Sequence, residues 1–181
     1  EVEIMSEQRV TVIDADGHVE PALGADWLRF AKEPYGSWLV DKGRRIFDQE
    51  GDRAATRRGA WDPLARLEDM DTEGIDIAVL FGGNMGLSTQ LAANAEYAAA
   101  YARAYNDWLG EFCGTAPKRM SGIAMLNVDD VQDAVSELRR CSKMGFAGAM
   151  ITVYPPVGKR YDQPEYEPLW GTAEELAMPL G

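Results

Sequence analysis

One histidine and two cysteines are all the sequence offers in soft metal ligands across 181 residues. Cys113 and Cys141 stand 28 positions apart. They form neither a CxxC pair nor a disulfide framework, and each falls in a helical pattern where a small thiol is ordinarily buried. Positive charge is also scarce. Eighteen Lys and Arg against thirty Asp and Glu give a net charge of -12 and a pI near 4.5. Nucleic acid and anionic membrane are therefore poor candidate partners, both being polyanions. No apolar run approaches the roughly 18 residues of a membrane span. The opening stretch "EVEIMSEQ" lacks the basic region and apolar core of a secretory signal, so the expected compartment is the cytoplasm. A glycine-rich phosphate fingerprint is missing as well. The "DADGH" turn has a single glycine among acidic and imidazole groups, which would repel a pyrophosphate.

What is present suits a globular chain: 46% hydrophobic and 27% charged residues, enough for one sizeable core. A strand is expected over Val10 to Asp16, followed by a long irregular insertion at about 17–60 that exceeds an ordinary βα connection and should cover something. "WDPLARLEDMDTEG" reads as a helix capped by Asp62, with Pro63 in its first turn and Gly74 past its end. "IDIAVLF", Ile75 to Phe81, is near-continuously apolar, as in a parallel strand covered on both faces.

A second helix carries Leu91, Ala95, Ala98, Ala102, Tyr105, Leu109 and Phe112 as a core stripe. A third strand is expected over Ser121 to Val128. It leads to a helix capped by Asp129, with Gln132 three residues on and Gly145 closing it. A fourth strand, Ala147 to Val153, precedes a helix with Pro168 in its first turn, and "MPLG" stands where a fifth strand should begin. Four βα units in series mean an α/β fold with a parallel sheet. A (β/α)8 barrel uses about eight such units and a doubly wound sheet about five strands, and spacing alone leaves both open.

The chemistry gathers at the end of the first strand. Alternation places Asp14, Asp16 and His18 on one face, with Val10 and Val12 below them. Two carboxylates and an imidazole make a poor dry core, and a divalent cation would satisfy them together. The plainer alternative is a loop histidine bonded to Asp16, with Asp14 capping a turn. Asn84 after the second strand, Asn127 at the end of the third and Tyr154 after the fourth stand where barrel enzymes gather substrate contacts. Their alternatives are a positive-φ turn at Asn84, a cap for the next helix at Asn127 and packing under the two prolines at Tyr154. Trp27, Phe30, Trp38 and Trp61 could wall an aromatic substrate or build a small loop core.

Five stretches carry a wider resemblance: "VIDADGHVEP", "RLEDMDTEGIDIAVLF", "AAAYARAYNDWLGEFC", "KRMSGIAMLNVDDVQDAVSELRRCSKMGFAGAMI" and "YDQPEYEPLWGTAEELAMPLG". Together they cover most of the chain from Val10 onward. The sequence resembles the amidohydrolase-related family of metal-dependent hydrolases and decarboxylases, which includes aminocarboxymuconate-semialdehyde decarboxylase and the dihydroxybenzoate decarboxylases. That resemblance implies a (β/α)8 TIM barrel, of which residues 1–181 supply about the first four units, the N-terminal half of one domain.

It implies metal ligands at Asp16 and His18, with Asp14 in a supporting position. Asp16 stands where many members have histidine, and its harder oxygen shifts the expected ion toward manganese, with zinc or iron as alternatives. It further implies histidines from strands five and six and a carboxylate from strand eight. These residues hold no second histidine, so the motif is expected to be a half-site, inactive alone and completed by a C-terminal half or a complementary chain.

The implied activity is nonoxidative decarboxylation of a small aromatic or unsaturated carboxylic acid, or hydrolysis of a C–N, C–C or ester bond. A noncatalytic half-barrel assembly module and a dinuclear iron oxygenase on the same scaffold are the alternatives. Exposed strand faces and open sheet edges lead us to expect an oligomer.

Overall fold

The computed structural model describes residues 10–20, 29–38, 57–82, 95–155 and 157–181. Its four strands are β1 (Ile13–Val19), β2 (Ile77–Gly82), β3 (Met120–Met125) and β4 (Gly148–Met150). They lie side by side in chain order, every pair parallel. The helices between and after them are α1 (Pro63–Glu73), α2 (Ala95–Gly114), α3 (Val131–Lys143) and α4 (Glu167–Leu176). This order decides what spacing left open. A doubly wound sheet reverses direction beside its first strand, whereas successive barrel units add on one side only.

Each helix has a local cause. The Asp62 carboxylate accepts from the Leu64 and Ala65 amides, and Gly74 ends α1 at φ 73°, a conformation that a side chain would strain. The cap of α3 is Asp130 and not the expected Asp129. The Asp129 amide is instead drawn to Asn127 Oδ1, which turns the chain and starts the helix one residue later.

The strand bounds also move. Val10 is 79% exposed, and β1 starts at Ile13, because pairing with β2 begins only there. β2 starts at Ile77, since the Asp76 and Ile77 amides both turn to the Val12 carbonyl. β3 starts one residue earlier than expected, at Met120, and ends at Met125 instead of Val128, while β4 is shorter at both ends, Gly148–Met150, because only the paired residues are extended.

The expected fifth strand does begin. Leu180 bridges Ala149 in parallel, with Gly181 N–H donating to the Ala149 carbonyl at 3.0 Å.

On β2 the faces divide cleanly. Ala78, Leu80 and Gly82 are buried, and Ile77, Val79 and Phe81 are half-exposed. The buried side lies under helices. A methyl added at Gly82 would meet Tyr105 of α2, and one at Gly122 would meet Leu109. Ala102, Tyr105, Leu109 and Phe112 of the expected stripe are buried on α2 and Tyr101 joins them, whereas Ala98 is half-buried, Ala95 is exposed and Leu91 lies outside the described residues. Cys113 and Cys141 are buried free thiols, and burial pushes Cys113 up to about 12 and Cys141 upward as well, so both are inert core residues.

Of the long insertion, Phe30 and Trp38 pack on the core, and Trp38 meets the Tyr97 ring at 4.5 Å. Those two aromatics thus build a loop core, and Trp27 lies outside the described residues. The ends of the insertion meet where Glu20 N–H donates to the Ala60 carbonyl at 2.8 Å.

Candidate functional site

Asp16 and His18 come together at the C-terminal end of β1, but Asp14 parts from them. Asp14 pairs with Ala78 and Gly17 with Leu80, so three steps along β1 match two along β2. That extra residue is a β-bulge, and it breaks the alternation on which the shared face depended. Asp14 and Gly17 turn to the helix side with Ala78 and Leu80. There the Asp14 carboxylate meets Arg66 of α1, with Nη2 at 3.3 Å from Oδ2. Its other oxygen accepts from the Asp16 amide at 3.1 Å. Val10 and Val12 are exposed and precede the strand, so neither lies beneath the polar trio.

His18 takes the opposite face. It pairs with Phe81, and the two rings stack with centroids 6.1 Å apart. Its Nδ1 is 3.1 Å from the Asp16 carbonyl oxygen and 3.8 Å from Asp16 Oδ1. A carbonyl can only accept, so Nδ1 donates in this contact, and among the described residues Nε2 has no hydrogen-bond partner. Both side chains are open to solvent, at 56% for His18 and 87% for Asp16. One imidazole nitrogen and one carboxylate suit a borderline or hard divalent ion as two members of a ligand set. Among the described residues no group of three or more His, Cys, Asp and Glu is arranged to hold a metal.

Other sequence candidates fall elsewhere. Asn127 is engaged at both ends of its amide, donating to the Ala95 carbonyl and accepting from the Asp129 amide, which is framework work. Tyr154 is 80% exposed beyond β4, Trp61 is 38% exposed, and Pro156, one of the two prolines expected over Tyr154, lies outside the described residues. Asn84 lies outside the described residues. Two cavities lined by described residues leave out Asp16 and His18. One of about 470 Å³ lies among Thr11, Asp76 and Arg119 at the opposite, N-terminal end of the strands, and one of about 540 Å³ lies beside α2.

A second polar cluster escaped the sequence reading. Asn106 of α2 is fully buried; its Nδ2 donates to the Met125 carbonyl at 2.9 Å and to Glu137 Oε1 at 2.7 Å, while its Oδ1 accepts from the Met125 amide at 2.8 Å. Arg140 grips Glu137 and also Asp107. Burial works to raise the Glu137 carboxyl, yet the hydrogen bonds from Arg140 and Asn106 outweigh it and hold the group below its ordinary range. The signal was present: position 106 falls inside the apolar stripe of α2, between Ala102 and Leu109.

The family model for amidohydrolases matches residues 13–181. The chain belongs to the amidohydrolase family. A gamma-resorcylate decarboxylase of Rhizobium sp. (strain MTP-10005) is 34% identical over 121 residues, covering 64% of this chain and 36% of that protein. The 2-amino-3-carboxymuconate-6-semialdehyde decarboxylase of Dictyostelium discoideum is 27% identical over 172 residues, covering 91% and 46%. Among solved structures, a dihydroxybenzoic acid decarboxylase from Polaromonas sp. JS666, with bound manganese and the inhibitor 2-nitroresorcinol, superposes with a TM-score of 0.67 at 26% identity. It covers 94% of this chain and 48% of that one. An amidohydrolase from Mycobacterium avium subsp. paratuberculosis K-10 shares the fold with a TM-score of 0.74 at 17% identity. This amidohydrolase chain thus has the fold of the first units of a (β/α)8 barrel and spans between a third and a half of the length of these curated relatives.

Proposed function

We propose that the chain is the N-terminal half of a metal-dependent decarboxylase acting on a small aromatic carboxylic acid, with Asp16 and His18 as two ligands of a divalent ion, manganese first. The observation that carries this reading is the pairing of His18 with Asp16 at the mouth of β1, with Nε2 lacking a hydrogen-bond partner among the described residues and both side chains open. The likeness to decarboxylases of resorcylate and dihydroxybenzoate supports the substrate class.

When bound, such an ion would supply positive charge beside the substrate's carboxylate and neighbouring oxygen. The residues of this chain prepare its place. The Asp16 carbonyl fixes the tautomer of His18, and Phe81 limits the swing of the imidazole ring by stacking on it. Phe81 and Val79, half-exposed on the same side of β2, offer an apolar wall suited to a flat ring. Tyr154, exposed beyond β4, is the side chain we propose to reach the substrate's polar edge, and Asn84 remains a candidate on the connection after β2.

Two ligands alone hold a catalytic ion poorly, since such sites use about three or more. The remaining ligands are proposed to lie on polypeptide that completes the barrel, so residues 1–181 alone should be inactive and should associate through the half-exposed face of β2. The test is release of CO2 from 2,6-dihydroxybenzoate by the full-length protein loaded with manganese. Steady turnover that ceases on chelation and returns with manganese is the expected result. Hydrolysis of an ester or amide with no CO2 release would transfer the assignment to a hydrolase.

A further inference from the structure

Among the described residues, the Asp16 backbone is held in its bulge from the helix side of the sheet. The holder is a chain of two contacts that begins on α1: Arg66 Nη2 to Asp14 Oδ2 at 3.3 Å, then Asp14 Oδ1 to the Asp16 amide at 3.1 Å. Gly17 lies under the same guanidinium. A methyl group there would collide with Arg66 and come within 2.8 Å of Leu80 Cδ2. The glycine thus leaves the space that the arginine occupies.

Two further features mark this arrangement as energetically costly. Arg66 Nε is buried with no hydrogen-bond partner among the described residues, and the Arg66 and Asp14 side chains are only 17% and 27% exposed. A buried ion pair with an orphaned donor is commonly no more stable than an apolar side chain of the same volume. What the pair does achieve is geometric. It fixes the extra residue in β1, and with it the direction in which Asp16 leaves the strand beside His18.

We infer that Arg66 is a positioning residue for the metal half-site, acting through Asp14 on the backbone of Asp16. The inference rests on the reading of Asp16 and His18 as ligands. Arg66 touches neither the ion nor the substrate. Its contribution is to keep the carboxylate of Asp16 within reach of an ion that His18 Nε2 also binds.

The experiment measures the dissociation constant for Mn2+ by electron paramagnetic resonance titration of the metal-free, full-length protein, with thermal unfolding followed in parallel. Arg66→Met should weaken Mn2+ binding about ten-fold, the lower end of what loss of an outer-shell partner does. Arg66→Lys, which keeps the charge and one donor, should fall between that variant and the wild type. Arg119→Met serves as the structural control. Arg119 ties the Ile75 and Asp76 carbonyls at the far end of the sheet, so its loss should lower the melting temperature and leave Mn2+ affinity alone.

An affinity within two-fold of wild type in folded Arg66→Met would overturn the inference, whatever its melting temperature. Should Arg66→Met not fold, Gly17→Ala displaces the guanidinium with one methyl group and carries the same expectation. Asp16→Ala and His18→Ala separate the two levels of the argument. If both bind Mn2+ like the wild type, the half-site itself is refuted. If both lose binding while Arg66→Met keeps it, only the positioning role fails.

Discussion

The molecule has two polar clusters that use nearly the same chemistry to opposite ends. Under β3, Asn106, Glu137, Arg140 and Asp107 are joined into a network in which the Asn106 amide makes three bonds and Glu137 is gripped from two sides. At the mouth of β1, among the described residues, Asp16 and His18 contact each other and the Phe81 ring and keep a carboxylate and an imidazole nitrogen open. A saturated cluster is a structural part, because any new partner would have to displace an existing one. An unsaturated pair held in place by backbone is suited to bind something else. This difference separates site from scaffold more sharply than residue type does, since each cluster combines carboxylates with nitrogen ligands or donors.

The comparison breaks most visibly if the mouth proves structural. In the full-length, metal-loaded protein, His18→Ala and Asp16→Ala should each abolish turnover while changing unfolding free energy by no more than about 0.5 kcal/mol, as for exposed positions. Activity together with metal content by elemental analysis checks this. A large loss of stability would move His18 into the framework.

The network should answer the other way. Asn106→Ala leaves the Met125 amide and carbonyl and one face of Glu137 without partners. The expected loss is about 2–3 kcal/mol of stability, read from urea unfolding, with unchanged metal content per folded molecule.

A smaller effect sharpens the contrast through pH. Glu137 is held below its ordinary value of 4.5 in the folded chain. Its contribution is therefore fully present above that value and is lost as pH falls through the lower folded pKa. Glu137→Gln should flatten the acid limb of the stability curve below about pH 4.5 and leave the neutral region with the cost of the weakened Arg140 pairing. A parallel acid limb in both proteins would show that the depression does not matter to folding.

Much of this architecture could be read from sequence because it depends on local rules. Asp62 and Gly74 bracket α1 as their cap preferences require, and the apolar run of β2 marks it as a strand, although among the described residues only one of its two faces is buried where both were expected to be covered. The order of strands needed the pairing itself. The site was half legible. Asp16 and His18 were evident as chemistry-bearing residues at a strand end, but their separation from Asp14 was not. Register is a property of two strands, and the bulge shows only when β1 is laid against β2. Arg66 was invisible for a related reason: it is one arginine among several on α1 and its approach, and its contact to Asp14 spans 52 positions. Asn106 could have been seen as a polar break in an apolar stripe, though its partner, the backbone of Met125, has no sequence signature at all.

The contact between His18 Nδ1 and the Asp16 carbonyl has an evolutionary consequence. The orientation of the imidazole is set by the main chain of residue 16, which every amino acid possesses. The side chain at 16 can therefore drift among carboxylate, imidazole or amide without disturbing its neighbour two positions on. If Asp16 and His18 hold an ion as proposed, the donor atom at position 16 can change while the main chain that orients the imidazole stays the same.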